Sequence, residues 1–147
     1  MAKLSTGNQT SLPITAAPAA DVSPSGITIQ LVAAQNVAFG DVCYIASTGK
    51  ATLVDADAIA TSSGICMAVA SISTDATGTF LLLGIARNDA WTWTVGGLIY
   101  ITVTGTTSNT LSQTAPTGTG DVVQIVGVAT HADRMLFMPN LVQVEIA

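Results

Sequence analysis

The sequence predicts an all-β protein: a compact β-barrel or β-sandwich built from two related halves and preceded by an extended N-terminal arm. Three observations predict this fold class. From residue 26 onwards, short runs rich in Val, Ile, Leu and Thr alternate with Gly, Asp-Ala and Thr-Gly pairs, which is typical of many short strands. Residues 1–25 show neither a strand period nor a helix period. The order of the strand-like runs then repeats along the chain.

The first segment, residues 1–25, is predicted to be an extended arm outside the folded domain. It is rich in Ser, Thr and Ala and carries three prolines, so it offers little apolar area to offset the entropy lost on ordering. We expect the arm to become ordered by docking onto a partner. The arm residues predicted to bind that partner are Leu4, Leu12, Pro13, Ile14 and Pro18.

The body, residues 26–147, is predicted to be one all-β domain. Its apolar runs are short and are bounded by turn-forming residues. A proline and two glycines within residues 115–121 predict a tight turn before the strand that follows. The predicted strands are Ile27–Ala33, Asp41–Ala46, Lys50–Leu53, Gly64–Ile72, Gly78–Ile85, Trp91–Thr94, Leu98–Val103, Thr110–Gln113, Asp121–Thr130, Arg134–Met138 and Val142–Ile146.

Two pseudo-repeats, at about residues 37–85 and 93–140, are predicted within this body. Gly40–Ile45 matches Gly96–Ile101, so that Tyr44 falls on Tyr100. Three further runs follow in the same order in both halves. One unit of this size is too small to be stable alone, so we expect the halves to bury their apolar faces on each other. Chance repetition in a low-complexity β sequence is the alternative.

The composition excludes several classes of function. Only four bases stand against nine acids, so no basic stripe is available to neutralise nucleic-acid phosphates. The apolar runs are far shorter than the ~18 residues that cross a bilayer. Charged residues make up 9% of the chain, whereas an ordinary soluble domain has about 25%. With so few charges, either Thr, Ser and Gly cover the surface or much of it is buried against other chains. We favour the second interpretation and expect a homo-oligomer, with a trimer as the favoured state.

Candidate catalytic groups are few and scattered. The one histidine, His131, lies in a turn between two strands, and no serine stands in a nucleophile elbow. Cys43 and Cys66 lie in apolar strand-like contexts without other metal ligands near them, which predicts buried free thiols, with a disulfide as the alternative. We therefore predict a protein that is not an enzyme and has no catalytic residue, cofactor site or metal site.

Trp91 and Trp93 are the remaining candidates for partner binding. Alternation along a strand places both indoles on one side, with Thr92 pointing to the other side. Core packing or a subunit interface is the simpler interpretation of this pair. Stacking on a sugar is the alternative, since exposed aromatic pairs suit that role as well.

Three segments of the second half resemble a known family. They are Gly97–Ile101, the longer run Leu111–Ala129 and Met135–Pro139. These segments resemble β modules of tailed-bacteriophage virion proteins, which occur in head fibres, capsid decoration proteins and tail fibres. The resemblance extends over about residues 40–140. It implies a part of the virion, commonly trimeric, and brings no catalytic residue with it.

The leading hypothesis is a structural virion protein, made in the host cytoplasm and attached to the capsid as a decoration or head-fibre protein. The arm would anchor it to the major capsid protein or to another virion protein. The alternatives are a tail-fibre or receptor-binding protein and a carbohydrate-binding module. Exposure of both Trp91 and Trp93 is the feature that would favour glycan binding.

Overall fold

The computed structural model describes residues 14–103 and 110–147, and in these residues the protein is nearly all β. The prediction of an all-β fold is confirmed. A nine-stranded antiparallel sheet curls into a half-barrel, and two further short strands pair with each other. The strands are β1 (Ser23–Val32), β2 (Val42–Ile45), β3 (Ala51–Leu53), β4 (Cys66–Ala68), β5 (Thr77–Arg87), β6 (Leu98–Ile101), β7 (Leu111–Ser112), β8 (Val122–Val123), β9 (Ile125–His131), β10 (Arg134–Phe137) and β11 (Val144–Glu145).

The two halves of the main sheet have the same strand connectivity. Eight of the sheet's strands run in the order β3-β2-β4-β5-β10-β9-β6-β7, and the ninth, β1, pairs with β5 outside this path. The order of the first four strands is mirrored by the last four. The register repeats as well, because Tyr44 pairs with Thr52 in the first half and Tyr100 pairs with Ser112 in the second. The two halves therefore share one topology, and β5 and β10 join them across the middle of the sheet.

One predicted strand is wrong and one is divided. The segment Trp91–Thr94 is not a strand, because its amides bond separately to Asn88 O at 2.9 Å and Ala132 O at 2.8 Å. The predicted strand Asp121–Thr130 breaks at Gln124 into β8 and β9. This break occurs because Val123 pairs with Val144 of β11, outside the main sheet.

The start of the body also differs from the prediction. β1 begins at Ser23, which pairs with Arg87, so the last three residues of the predicted arm belong to the sheet. β1 then pairs with β5 over its whole length. Pro24 and the serines on either side of it are typical of a linker, and for this reason the sequence predicts that the arm extends to residue 25. An edge strand accepts proline, however, and Pro24 pairs with Ala86.

Two glycines allow β1 and β5 to approach closely. Gly26 and Gly84 are register partners with φ of +157° and +152°. A Cβ on Gly26 would lie 2.1 Å from Leu83 O, and a Cβ on Gly84 would lie 2.1 Å from Ser25 O. Real Cβ contacts do not occur at such distances, so neither position has room for a side chain.

The buried side chains form two clusters on opposite sides of the first half. One cluster lies between the halves and takes Val42 and Met67 from the first and Ile99 and Met135 from the second. The other surrounds Cys43 and belongs to the first half alone. Among the described residues, the strands of the first half are thus covered on both sides, whereas β6, β9 and β10 contribute to a cluster on one side.

The described residues contain one short helical segment, a 3₁₀ turn at Ile59–Thr61. No helix in this part of the chain is long and apolar enough to cross a membrane.

Candidate partner-binding site

The predicted arm residues fall into two groups. Leu4, Leu12 and Pro13 lie outside the described residues. Ile14 is 45% exposed, whereas Pro18 is buried. Of the described arm residues predicted to bind a partner, only Ile14 therefore offers its side chain to one.

Residues 14–22 are held on the body at one corner, next to the end of β5. Arg87 donates from Nη1 to Pro18 O at 3.0 Å. Asp21 accepts from the backbone N of Asp89 through Oδ1 at 2.7 Å. These two contacts use a strand end and the turn that follows it, so they fix where the chain enters the folded body.

The same corner carries the main cluster of charges. Arg87 lies 2.7 Å from Asp89 and 3.6 Å from Asp133, while Arg134 lies 3.3 Å from Asp133. His131 Nδ1 lies 2.7 Å from an oxygen of Asp133. The hydrogen bond to Asp89 raises the pKa of Arg87. Desolvation acts to raise the pKa of Asp133, but the His131 hydrogen bond and the charges of Arg134, His131 and Arg87 outweigh it and lower that pKa.

The two tryptophans pack on the body and on each other. Their ring centroids are 5.6 Å apart, and Trp91 also lies 6.0 Å from Phe39. Both indoles are half-buried and pack against the cluster between the halves. A cleft of about 180 Å³ beside Trp91 is smaller than the ~300 Å³ at which ligand pockets usually begin. The pair thus covers the core and does not form an open platform.

No family model, curated protein or solved structure matches this chain.

The two cysteines are free and buried, as the sequence predicts. They are direct partners across β2 and β4. Burial raises the pKa of the Cys66 thiol to about 12, and burial together with the nearby Cys66 and Asp41 raises the pKa of the Cys43 thiol well above its usual range. Such thiols stay protonated at neutral pH and are poor nucleophiles. Within the described residues, no group of three or more His, Cys, Asp or Glu is placed to hold a metal ion.

Sequence reasoning missed one buried polar residue that connects distant parts of the fold. The Gln124 side chain is 1% exposed and accepts from Gly64 N at 2.8 Å. Its Nε2 donates to Gly64 O at 3.0 Å and to Asn140 O at 2.7 Å. The first half, the second half and the C-terminal segment therefore meet at this amide. The position of this polar residue inside the apolar run Val122–Val128 could have indicated a buried amide.

Proposed function

We propose that this chain is a non-enzymatic structural protein of a tailed-phage virion, attached to the capsid as a decoration or head-fibre protein. The observation that carries the proposal is the fixed corner. Residues 14–22, which follow the proposed anchoring residues in the sequence, are tied to Arg87 and Asp89 at a defined point on the folded body. Ile14, the first described residue, keeps its side chain 45% exposed there.

The β body suits a structural role. Its titratable groups at the corner form ion pairs with one another, and its two thiols are buried with raised pKa values. The turn at 118–121 is closed by Asp121, which accepts from Gly118 N at 2.7 Å. These side chains thus have structural partners. The choice of a virion as the assembly rests on the resemblance of residues 40–140 to phage virion modules.

The test is binding to capsids prepared without this protein. Full-length protein is compared with a form lacking residues 2–13, which keeps the corner contacts of Pro18 and Asp21. We expect the truncated form to keep its melting temperature and to lose co-sedimentation with capsids. This truncation is sharper than removal of residues 1–25, which would also delete the start of β1.

Two control proteins separate anchoring from unspecific effects. A variant with residues 2–13 scrambled keeps the length and composition of the arm, and we expect it to bind as weakly as the truncated form. The double variant Leu4→Asp with Leu12→Asp tests the two predicted apolar anchors directly. Equal capsid occupancy by the full-length and truncated forms would show that attachment lies on the β body instead.

A carbohydrate-binding role receives less support. Trp91 and Trp93 face each other and the core, and the adjoining cleft is small. If a glycan were the ligand, Trp93→Ala would abolish binding on a glycan array while leaving capsid co-sedimentation unchanged.

A further inference from the structure

An apolar row crosses β6, β9 and β10 of the second half and continues to Ile85 of β5, which is buried with 5% exposure. Leu136 of β10 pairs with Ile85 of β5 on one side and with Val128 of β9 on the other. Val128 pairs in turn with Leu98 of β6. Register partners in a sheet project to the same side, so these four side chains form one continuous row.

The row opens into a shallow apolar depression of about 210 Å³. Side chains alternate along a strand, so Met138 projects to the same side as Leu136, while Ile125 is placed there by its pairing with Tyr100. We call this surface the outer face: Leu98, Ile125, Val128, Leu136 and Met138. Leu98 is 44% exposed and Met138 is 58% exposed.

The equivalent positions in the first half are fully buried. Val42 pairs with Met67, and Met67 pairs with Leu81, all three with no exposed surface. They are buried in the cluster between the halves. Strand order and register make these three residues equivalent to Leu98, Val128 and Leu136, respectively. The second half covers this face of the first half, and no described part of the chain covers the outer face.

A rim of both charge signs borders the outer face at one end. Arg134 and Arg87 are register partners one row beyond Leu136 and Ile85, so they project to the same side. Asp133 and Asp89 pair with these guanidinium groups. An apolar centre next to a polar rim is the usual anatomy of a protein interface. Because these two bases and two acids balance each other within the chain, the rim carries no net charge from them that would repel a second copy.

We propose that the outer face is the surface on which a second copy of this chain docks. Within one chain, apolar β surface of the second half already covers the equivalent face of the first half. A second copy of the chain carries apolar β surface of the same kind, which can cover the outer face. A two-fold arrangement brings the same patch from both copies together. The proposed contact thus joins copies in pairs, whereas the composition led us to expect a trimer. The inference does not depend on the proposed capsid role.

The size of the patch fits the centre of such an interface. The four strands span about 14 Å between their axes, whereas each partner of a standard interface buries ~800 Å². Additional apolar surface therefore has to flank the patch. Directly after Met138, the chain bonds to Val126 and Ile125 and then presents Leu141, 76% exposed, and Val142, 65% exposed.

The first experiment is sedimentation velocity of the full-length protein from micromolar to near-millimolar concentration. We expect self-association that the double variant Leu98→Asp with Met138→Asp weakens by at least ~100-fold, because it places carboxylates at the desolvated centre of the interface. The matched control is Ile45→Asp with Ile59→Asp, at positions that are 39% and 48% exposed in the first half. It should associate like the wild type. Circular dichroism shows whether each variant is folded.

A second measurement uses the wild-type protein alone. Met138 is exposed in a single copy, whereas Met67 and Met135 are fully buried. Oxidation by dilute peroxide, followed by mass spectrometry, should modify Met138 readily at low protein concentration and at least several-fold more slowly at high concentration. Met67 and Met135 should stay protected at both concentrations and act as internal references.

Three outcomes would overturn the proposal. The first is a wild-type monomer at every concentration, with Met138 equally reactive throughout. The second is a folded double variant that associates as strongly as the wild type. The third is a monomer in which removal of residues 2–13 makes Met138 more reactive, since the arm would then be the occupant. Capsid binding is measured separately, so its failure and the failure of this interface remain distinguishable.

Discussion

Replacing Gly84 with alanine tests the close approach of β1 and β5. The new Cβ would lie 2.1 Å from Ser25 O and 2.7 Å from Gly26 Cα, and both of these atoms belong to the backbone. Neither atom can move without disturbing the pairing that ties β1 to the rest of the sheet. We expect a loss of about 3 kcal/mol or more in the free energy of unfolding, from overpacking together with the unfavourable φ. For a chain of this size, that loss lowers the melting temperature by roughly 6–12 °C.

The matched control is Gly49→Ala. Gly49 also has a positive φ, +76°, but an added Cβ there would meet nothing within 4 Å. The backbone penalty alone is then about 1 kcal/mol. Urea unfolding followed by circular dichroism compares the two variants. Equal losses would mean that backbone conformation, and not close approach, determines the requirement for glycine, and the reasoning about Gly84 would be refuted.

Three further predictions concern buried or paired polar groups. Gln124→Leu should cost about 2–3 kcal/mol in urea unfolding, because it removes the buried amide that donates to the carbonyls of Gly64 and Asn140. The control Gln113→Leu, at a more exposed amide that also bonds to backbone, should cost under ~1 kcal/mol, and equal costs would contradict this. Cys43 and Cys66 should not react with a thiol reagent at pH 8 until the protein is denatured, because burial raises the pKa of both, and fast native reaction of either would show that the site opens. The pKa of Asp133 is depressed on folding, so its contribution to stability is present above its ordinary value of 3.8 and is lost as the pH falls through the folded value. In Asp133→Asn, the melting temperature should therefore decrease less steeply than in the wild type as the pH is lowered. The same dependence of melting temperature on pH in both proteins would mean that the ion cluster adds nothing to stability.

The sequence by itself determined the all-β class, most strand positions and the order of the two halves. These properties depend on local signals: period-two apolar runs, glycine at turns, and the recurrence of the run around Tyr44 at Tyr100. The buried thiols could be predicted for a similar reason, since cysteine in an apolar strand is usually buried. The predicted strand at Trp91–Thr94 shows the limit of such signals. Aromatic alternation indicates a half-buried surface, and a loop packed on the core provides one without any ladder of hydrogen bonds.

Only the tertiary structure decided which apolar faces are covered and which are not. Val42 and Leu98 are equivalent apolar residues in equivalent strands, yet one is fully buried and the other is 44% exposed. The sequence around them does not distinguish these outcomes, because burial depends on which part of the chain packs against each face. The close approach at Gly26 and Gly84 and the amide bridge of Gln124 are likewise contacts between residues about 60 positions apart. Local periodicity determines which secondary structure a segment can form, and long-range packing determines which residues it contacts.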